Sequence, residues 1–197
     1  MPTRRALTAA FALAPLVVPV AASVAASVLT ARPARAGATT AHAFRFDGID
    51  GDPVEMAAFA GQPVLVVNTA SRCGFTYQYD QLQALYDSYR ARGLVVLGVP
   101  SGDFNQEYAT EAAVKEFCEV NFAIDFPMTA ITPVMGRRAH PFFAWIEREL
   151  GRRRAPRWNF YKYLIAPDGR IAGAWTSGTE PMDTAITGKI EQLLASG

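Results

Sequence analysis

The sequence predicts an α/β fold in which a mixed β-sheet is flanked by helices, and three observations lead to this prediction. Two continuous apolar runs, residues 64–70 and 94–99, have the length and composition of strands that are buried on both faces. Each run is followed by a segment whose apolar residues recur at helical spacing. Near the C-terminus, a Pro-Asp-Gly turn joins two short segments, which is typical of a β-hairpin.

The elements of the first half follow from local patterns. Residues 44–46 (Phe-Arg-Phe) favour a short strand, and residues 48–53, bounded by glycine and proline, favour a turn. The run 64–70 is the first buried strand. In residues 79–90 the apolar side chains recur at helical spacing and a glycine follows shortly afterwards, which predicts a helix and its end. The run 94–99 is the second buried strand.

The second half adds helices and the hairpin. A proline at residue 141 precedes the helix predicted at 142–150, and in the first turn of a helix its missing N–H costs nothing. In order, the predicted elements are a helix at 111–121, a weak strand at 126–131, a helix at 142–150, strands at 160–165 and 171–175, and a helix at 182–194. This succession gives one mixed sheet between helices. With its two wholly apolar strands, it is a thioredoxin-like order of elements.

The first 36 residues have the pattern of a secretory signal peptide. The pair Arg4-Arg5 precedes a long uncharged run rich in Ala, Leu and Val, and Ala34-Arg35-Ala36 has the small-x-small form of a cleavage site. The paired arginines are compatible with a twin-arginine signal. The alternative is an uncleaved membrane anchor, against which the prolines and many alanines of the run argue. We therefore expect an exported protein, periplasmic or extracellular, whose working part is residues 37–197.

Charge and cysteine content limit the partners of that part. Removing residues 1–36 takes away four arginines and no acidic residue, so the formal net charge changes from +1 to −3. We expect no nucleic-acid partner and no stable membrane association after cleavage. The two cysteines, Cys73 and Cys118, are too few for a disulfide scaffold, and both histidines lie far from them in sequence. We expect one domain without a metal ion or other cofactor.

Cys73 is the candidate reactive residue. It follows the first buried strand directly and precedes the first long helix, the position where active sites lie in open α/β sheets. The positive end of that helix and the neighbouring Arg72 favour the thiolate. The alternative is a small buried apolar residue, but polar neighbours favour reactivity. Thr76 stands where a thioredoxin-type dithiol has its second cysteine, so dithiol chemistry of that kind is not available. The attack of a single thiol on a peroxide is available.

Three blocks of the sequence carry a family likeness. The first reads VNTASRCGFT over residues 67–76, the second LGVP over 97–100, and the third WNFYKYL over 158–164. Together they resemble the glutathione peroxidase family, over about residues 44–192. The resemblance implies a thioredoxin fold and a peroxidase that reduces hydrogen peroxide or organic hydroperoxides through a cysteine sulfenic acid. It also implies a thiol co-substrate, either a thioredoxin-like dithiol protein or glutathione.

The resemblance further implies a catalytic group of cysteine, glutamine, tryptophan and asparagine. Cys73 matches the nucleophile, and Trp158 and Asn159 match the last two. An indole N–H and an amide N–H can both donate to a thiolate and to peroxide oxygens. The absence of an insertion between Leu150 and Trp158 resembles the compact monomeric members, so we expect a monomer and a dithiol donor rather than glutathione.

The sequence departs from the family at its glutamine. The corresponding segment reads PSGDFNQEY over residues 100–108 and is one residue shorter, so that Asp103 stands where the glutamine is expected. An ionised carboxylate donates no hydrogen bond and repels a thiolate. Asp103 is therefore protonated, or takes the thiol proton as a base, or points away while Gln106 or Asn105 supplies the amide. Of these three we expect the base role and count Asp103 as catalytic.

Cys118 matches the resolving cysteine of two-cysteine members, which forms a disulfide with the oxidised first cysteine. The alternative is that it only fills the apolar stripe of its helix. A disulfide needs the two Cα atoms within about 7 Å, which requires that helix to unwind locally. Two other functions stay open: a redox relay that passes a Cys73–Cys118 disulfide to a partner, and a non-catalytic binding module on the same fold.

Overall fold

The computed structural model describes residues 39–196 and, apart from these, Thr3. The rest of the predicted signal peptide, residues 1–36, lies outside the described residues. Ala38–Gly197 forms one compact unit. Within the described part of the chain, no helix combines the length and the apolar character that crossing a membrane requires.

A four-stranded sheet lies at the centre of this unit, in the order β4-β3-β5-β6. Its strands are β3 (Val64–Thr69), β4 (Val95–Pro100), β5 (Lys162–Ile165) and β6 (Ile171–Trp175). β3 runs parallel to β4 and antiparallel to β5, and β5 runs antiparallel to β6. The predicted α/β class and mixed sheet are thereby confirmed. A separate antiparallel pair is formed by β1 (Arg45–Asp47) and β2 (Pro53–Glu55).

Apolar side chains cover both faces of the sheet. The helices are α1 (Gln78–Tyr89), α2 (Glu111–Phe122), α3 (Pro141–Leu150) and α4 (Thr184–Leu194). Leu65 and Val67 of β3 belong to a buried cluster with residues of α1, α2 and α4. Val64 and Val66, which point the other way, belong to a second cluster with residues of α3 and β1. Because β3 is buried on both faces, its residues read as the continuous apolar run seen in the sequence.

Three local predictions differ from the structure. The strand β2 follows the turn predicted at 48–53 and was not predicted. The weak strand predicted at 126–131 makes only isolated bridges, among them Met128 with Gly98; the chain there passes so close to β4 that a Cβ on Gly98 would lie 3.1 Å from the Phe126 ring. The strand predicted from residue 160 begins at Lys162, because Phe160 has a left-handed φ of 62°.

Candidate active site

Cys73 lies in the turn between β3 and α1, as the sequence predicts. The Thr76 N–H donates to the Cys73 carbonyl at 3.1 Å, and the Gln78 N–H donates to the Phe75 carbonyl at 2.9 Å, so that the turn leads into α1. Only 4% of Cys73 is exposed. The residue therefore sits at the carboxyl end of a central strand, largely shielded from solvent.

The loop between β4 and α2 lies against the Cys73 turn. The Arg72 N–H donates to the Gln106 carbonyl at 2.8 Å, and the Ser71 N–H donates to Glu107 Oε1 at 3.0 Å. Burial raises the pKa of the Glu107 carboxyl, and the hydrogen bonds from Ser71 and Tyr108 offset only part of that rise. Two successive residues of this loop thus fix the backbone on the N-terminal side of the nucleophile.

The same loop also holds the tryptophan–asparagine pair. Asn159 Nδ2 donates to Gln106 Oε1 at 2.9 Å, and the Trp158 ring packs on Phe104 with centroids 5.5 Å apart. On the other side, Asn68 of β3 donates through Nδ2 to the Trp158 carbonyl at 3.0 Å. The loop therefore connects the Cys73 turn with the Trp158–Asn159 segment, which are 85 residues apart in the sequence.

Asp103 faces away from this arrangement. Its Oδ2 accepts the backbone N–H groups of Val134 and Met135 at 2.7 and 3.0 Å. These bonds do not support the base role expected from the sequence, and they favour the alternative in which Asp103 points away. The amide that meets Asn159 belongs to Gln106. The one-residue deletion in this loop had left the choice between the two side chains open.

Cys118 lies on the inner side of α2, where 1% of the residue is exposed. Burial raises the pKa of its thiol to about 12, although a hydrogen bond with Tyr79 acts in the opposite direction. Both cysteines are free thiols in this structure, and both belong to the same apolar cluster. In this state Cys118 fills the apolar stripe of its helix and is a poor nucleophile.

Several polar residues that support the site were missed. Asn68 is fully buried and binds the Trp158–Tyr161 segment through both side-chain polar atoms. Lys162 and Ser177, also buried, lie around the backbone of the same segment. The available signal was a polar residue inside an apolar strand, which Asn68 and Lys162 both are.

The described residues offer no metal site. Among them, no group of three or more His, Cys, Asp and Glu side chains is placed to hold an ion. The loop that bonds to the Cys73 turn carries Gln106, whose amide meets Asn159, and Phe104, on which the Trp158 ring packs.

Comparison with known proteins connects this arrangement with a family. The sequence model described as "Glutathione peroxidase" matches residues 41–147. The chain is 42% identical over 140 residues to the glutathione peroxidase homolog BsaA of Bacillus subtilis, covering 68% of this chain and 87% of that protein. It is 37% identical over 164 residues to the hydroperoxy fatty acid reductase gpx1 of Synechocystis sp., covering 79% of this chain and 96% of that protein.

A solved structure supports the same conclusion. The crystal structure of Trgpx in apo form superposes with a TM-score of 0.65 at 35% sequence identity, covering 81% of this chain and 97% of that chain. The residues matched by the family sequence model include the Cys73 turn, the strand that precedes it and the loop that follows β4. The chain belongs to the glutathione peroxidase family.

Proposed function

We propose that Cys73 carries out the thiol peroxidase reaction of this family, with Gln106, Trp158 and Asn159 as its assisting groups. The observation that carries the proposal is the series of contacts from the Cys73 turn through Gln106 to Asn159. It gathers one thiol and three N–H-bearing side chains from separate parts of the chain, and a packing role for any one of them would not require the others.

The reaction balances with these groups alone. The Cys73 thiolate attacks one oxygen of the hydroperoxide O–O bond, so that an S–O bond forms as the O–O bond breaks. The sulfur loses two electrons and becomes a sulfenic acid, and the other oxygen leaves as water or an alcohol once it has taken a proton. The substrate class is hydrogen peroxide or an organic hydroperoxide.

The amide and indole groups have the donors that this step needs. Within the described residues, Gln106 Nε2 and Trp158 Nε1 make no hydrogen bond, whereas Asn159 Nδ2 is bound to Gln106 Oε1. Accepting from Asn159 orients the Gln106 amide and leaves its N–H₂ free to donate to the thiolate and to the leaving oxygen. Trp158 is 41% exposed, and we propose that the hydroperoxide enters beside it.

We propose that Cys118 resolves the oxidised enzyme. Its thiol would attack the sulfenic sulfur, giving a Cys73–Cys118 disulfide and water, and an external thiol donor would then reduce the disulfide. The buried position of Cys118 requires α2 to open first, which also removes the burial that raises the pKa of this thiol. A dithiol protein fits this cycle better than glutathione, because it reduces a disulfide in one encounter.

We also propose that the chain is exported and acts as a monomer without a metal or organic cofactor. Export is supported by the arginine pair, the apolar run and the Ala-x-Ala site in residues 1–36. The compact loop between α3 and β5, which lacks an insertion, supports the monomer. Fractionation of the source cells and sedimentation of purified residues 37–197 test the two points separately.

Peroxide turnover by purified residues 37–197 tests the function. We expect consumption of hydrogen peroxide with a thioredoxin system, slower consumption with glutathione, and none with Cys73→Ser. Cys118→Ser should react once with peroxide but turn over poorly with the dithiol donor. A Cys73→Ser variant that still turned over would contradict the proposal. The redox-relay alternative predicts one equivalent of peroxide reduced and no turnover with a general dithiol donor.

A further inference from the structure

Lys162 is a basic side chain that is fully buried at the end of a central strand. It is the first residue of β5, and none of it is exposed. Its Nζ donates to Gln78 Oε1 at 2.7 Å and to the Phe160 carbonyl at 2.8 Å. Burying an ammonium group is costly unless it is bound, and the peroxidase reaction described above makes no use of this one.

The hydrogen bonds around Lys162 form a continuous network that reaches Asn159. Gln78, which accepts from Lys162, donates through Nε2 to the Ser177 carbonyl at 2.8 Å. Ser177 in turn donates through Oγ to the Asn159 carbonyl at 2.5 Å. All three side chains are buried. The network joins the first residue of α1, the loop after β6 and the start of β5 around one short segment.

That segment has an unfavourable backbone. Phe160 has a φ of 62°, in the left-handed region that a bulky side chain avoids. Such a conformation is strained and persists only where the surroundings enforce it. Here the Phe160 N–H donates to the Asn68 carbonyl at 2.6 Å, while its carbonyl accepts from Lys162. The turn fixes the direction in which the preceding Asn159 side chain points.

The Asn159 side chain itself contributes little to its own placement. Its Nδ2 has one partner, Gln106 Oε1, and its Oδ1 is buried without a hydrogen-bond partner among the described residues. The position of the carboxamide is therefore decided mainly by its backbone. On the C-terminal side, this backbone is held by Asn68, which accepts from the Phe160 and Tyr161 N–H groups, by Ser177 and, through the Phe160 carbonyl, by Lys162.

We propose that Lys162 is a positioning residue of the peroxidatic site, which fastens the Asn159–Phe160 turn to the start of α1 and so places the Asn159 carboxamide against Gln106. The inference rests on the proposed function of Cys73. It assigns to Lys162 no contact with peroxide. Burial lowers the pKa of Lys162 to about 7, and the charge of Glu180, which hydrogen-bonds Tyr77 at the start of α1, acts in the opposite direction.

The test compares variants in a Cys118→Ser background, where a single thiol reacts. Lys162→Met removes the ammonium group and keeps an unbranched side chain. The matched control is Lys189→Met, because Lys189 is a partly exposed residue of α4 and, among the described residues, bonds only to Gln192. The measurements are the rate constant for Cys73 oxidation by hydrogen peroxide, the unfolding midpoint, and the resonance of the Asn159 side-chain amide in ¹⁵N-labelled protein.

We expect Lys162→Met to slow Cys73 oxidation by at least about tenfold, since a displacement of roughly 1 Å can cost about 100-fold. The Asn159 amide resonance should move in Lys162→Met and stay in place in Lys189→Met. Because Lys162 acts through Asn159, adding Lys162→Met to Asn159→Ala should change the rate constant by less than about twofold.

Two results would overturn the inference. One is a folded Lys162→Met protein whose rate constant lies within twofold of the parent. The other is an equal loss of rate with and without the Asn159 side chain, which indicates a general structural effect. If Lys162→Met does not fold, Ser177→Ala decides: a loss of about threefold or more supports the network, and no loss rejects it. A parent protein whose Cys73 fails to react with peroxide would instead reject the proposed function.

Discussion

Asp103 and Gln106 lie in the same loop but differ in the hydrogen bonds that their side chains can make. A carboxylate only accepts hydrogen bonds, and Asp103 accepts two from the backbone of residues 134–135. An amide accepts and donates at once, so Gln106 can take a bond from Asn159 and still offer its own N–H₂. The hydrogen bonds therefore place the Gln106 amide against Asn159 and hold the Asp103 carboxylate on residues 134–135.

This distribution of donors and acceptors predicts different effects for two isosteric substitutions. Gln106→Glu should slow the reaction of Cys73 with peroxide by about 100-fold, because it replaces a donor by an acceptor. Asp103→Asn should leave that rate constant within about threefold and lower the free energy of unfolding by about 1–2 kcal/mol. Stopped-flow kinetics and urea unfolding measure both quantities. A larger kinetic loss in Asp103→Asn than in Gln106→Glu would restore the base role of Asp103.

The lowered pKa of Lys162 predicts that the stability of the protein depends on pH. Burial lowers its pKa from 10.5 to about 7 in the folded state, so between these values the unfolded chain binds a proton that the folded chain has released. The free energy of unfolding therefore gains a contribution that rises from about pH 7 to about 10.5 and is lost as the pH falls back from 10.5 to 7, below which it no longer changes. Its slope is limited to about 1.4 kcal/mol per pH unit.

The measurement is urea unfolding of the parent and of Lys162→Met across this pH range. The difference between the two proteins removes the contributions of other groups, including Cys118 and the buried tyrosines. We expect the parent to gain stability relative to the variant as the pH rises. A difference that stays constant with pH would show that Lys162 does not lose its proton in the folded state over this pH range.

The sequence singled out Cys73, Trp158 and Asn159 as candidates, because each lies in a contiguous block with a family likeness. It left Asp103 and Gln106 undecided, because a one-residue deletion makes the match ambiguous and only the long-range bond to Asn159 separates them. Lys162 was hidden for the same reason. Its partner Gln78 lies 84 residues away, and neither residue type in isolation predicts such a pair.

At the scale of elements, α2 combines a buried thiol with a weak C-terminal end. Thr110 caps its N-terminus by accepting the Ala113 N–H at 3.3 Å. Its C-terminal cap is Ala123, an exposed non-glycine residue with a left-handed φ of 49°. At this end, the backbone N–H groups of residues 123 and 124 both donate hydrogen bonds to the Cys118 carbonyl. If Cys118 resolves the oxidised enzyme as proposed, the end of α2 that opens is also the one with the left-handed residue.

Ala123→Gly should slow resolution while leaving the peroxide step unchanged. Glycine adopts the left-handed conformation without the penalty that alanine carries, which stabilises this end of α2 by about 0.5–1 kcal/mol. If opening limits disulfide formation, its rate should fall about two- to fivefold. Quenched-flow trapping of the Cys73–Cys118 disulfide measures it. Equal rates in Ala123→Gly and the parent would show that opening of this end does not limit the step.

At the scale of the whole molecule, the site depends on the sheet order. β3 leads directly into the Cys73 turn, β4 leads into the loop with Gln106, and β5 begins just after Asn159. Since these three strands are neighbours, with β3 in the middle, segments distant in sequence meet at one edge. The sequence predicted the class of this sheet from its apolar runs. The strand order was not predicted, because β5 pairs with β3 through residues about 100 positions apart.

The central claim is that the fold turns Cys73 into a peroxide-specific thiol. Its most direct test is the second-order rate constant for oxidation of Cys73 by hydrogen peroxide in purified residues 37–197 carrying Cys118→Ser, compared with free cysteine at the same pH. The account predicts a rate constant at least about 1000-fold above that of free cysteine, since preorganised donors alone supply about 100- to 1000-fold. A Cys73 thiol that reacts no faster than free cysteine would contradict it.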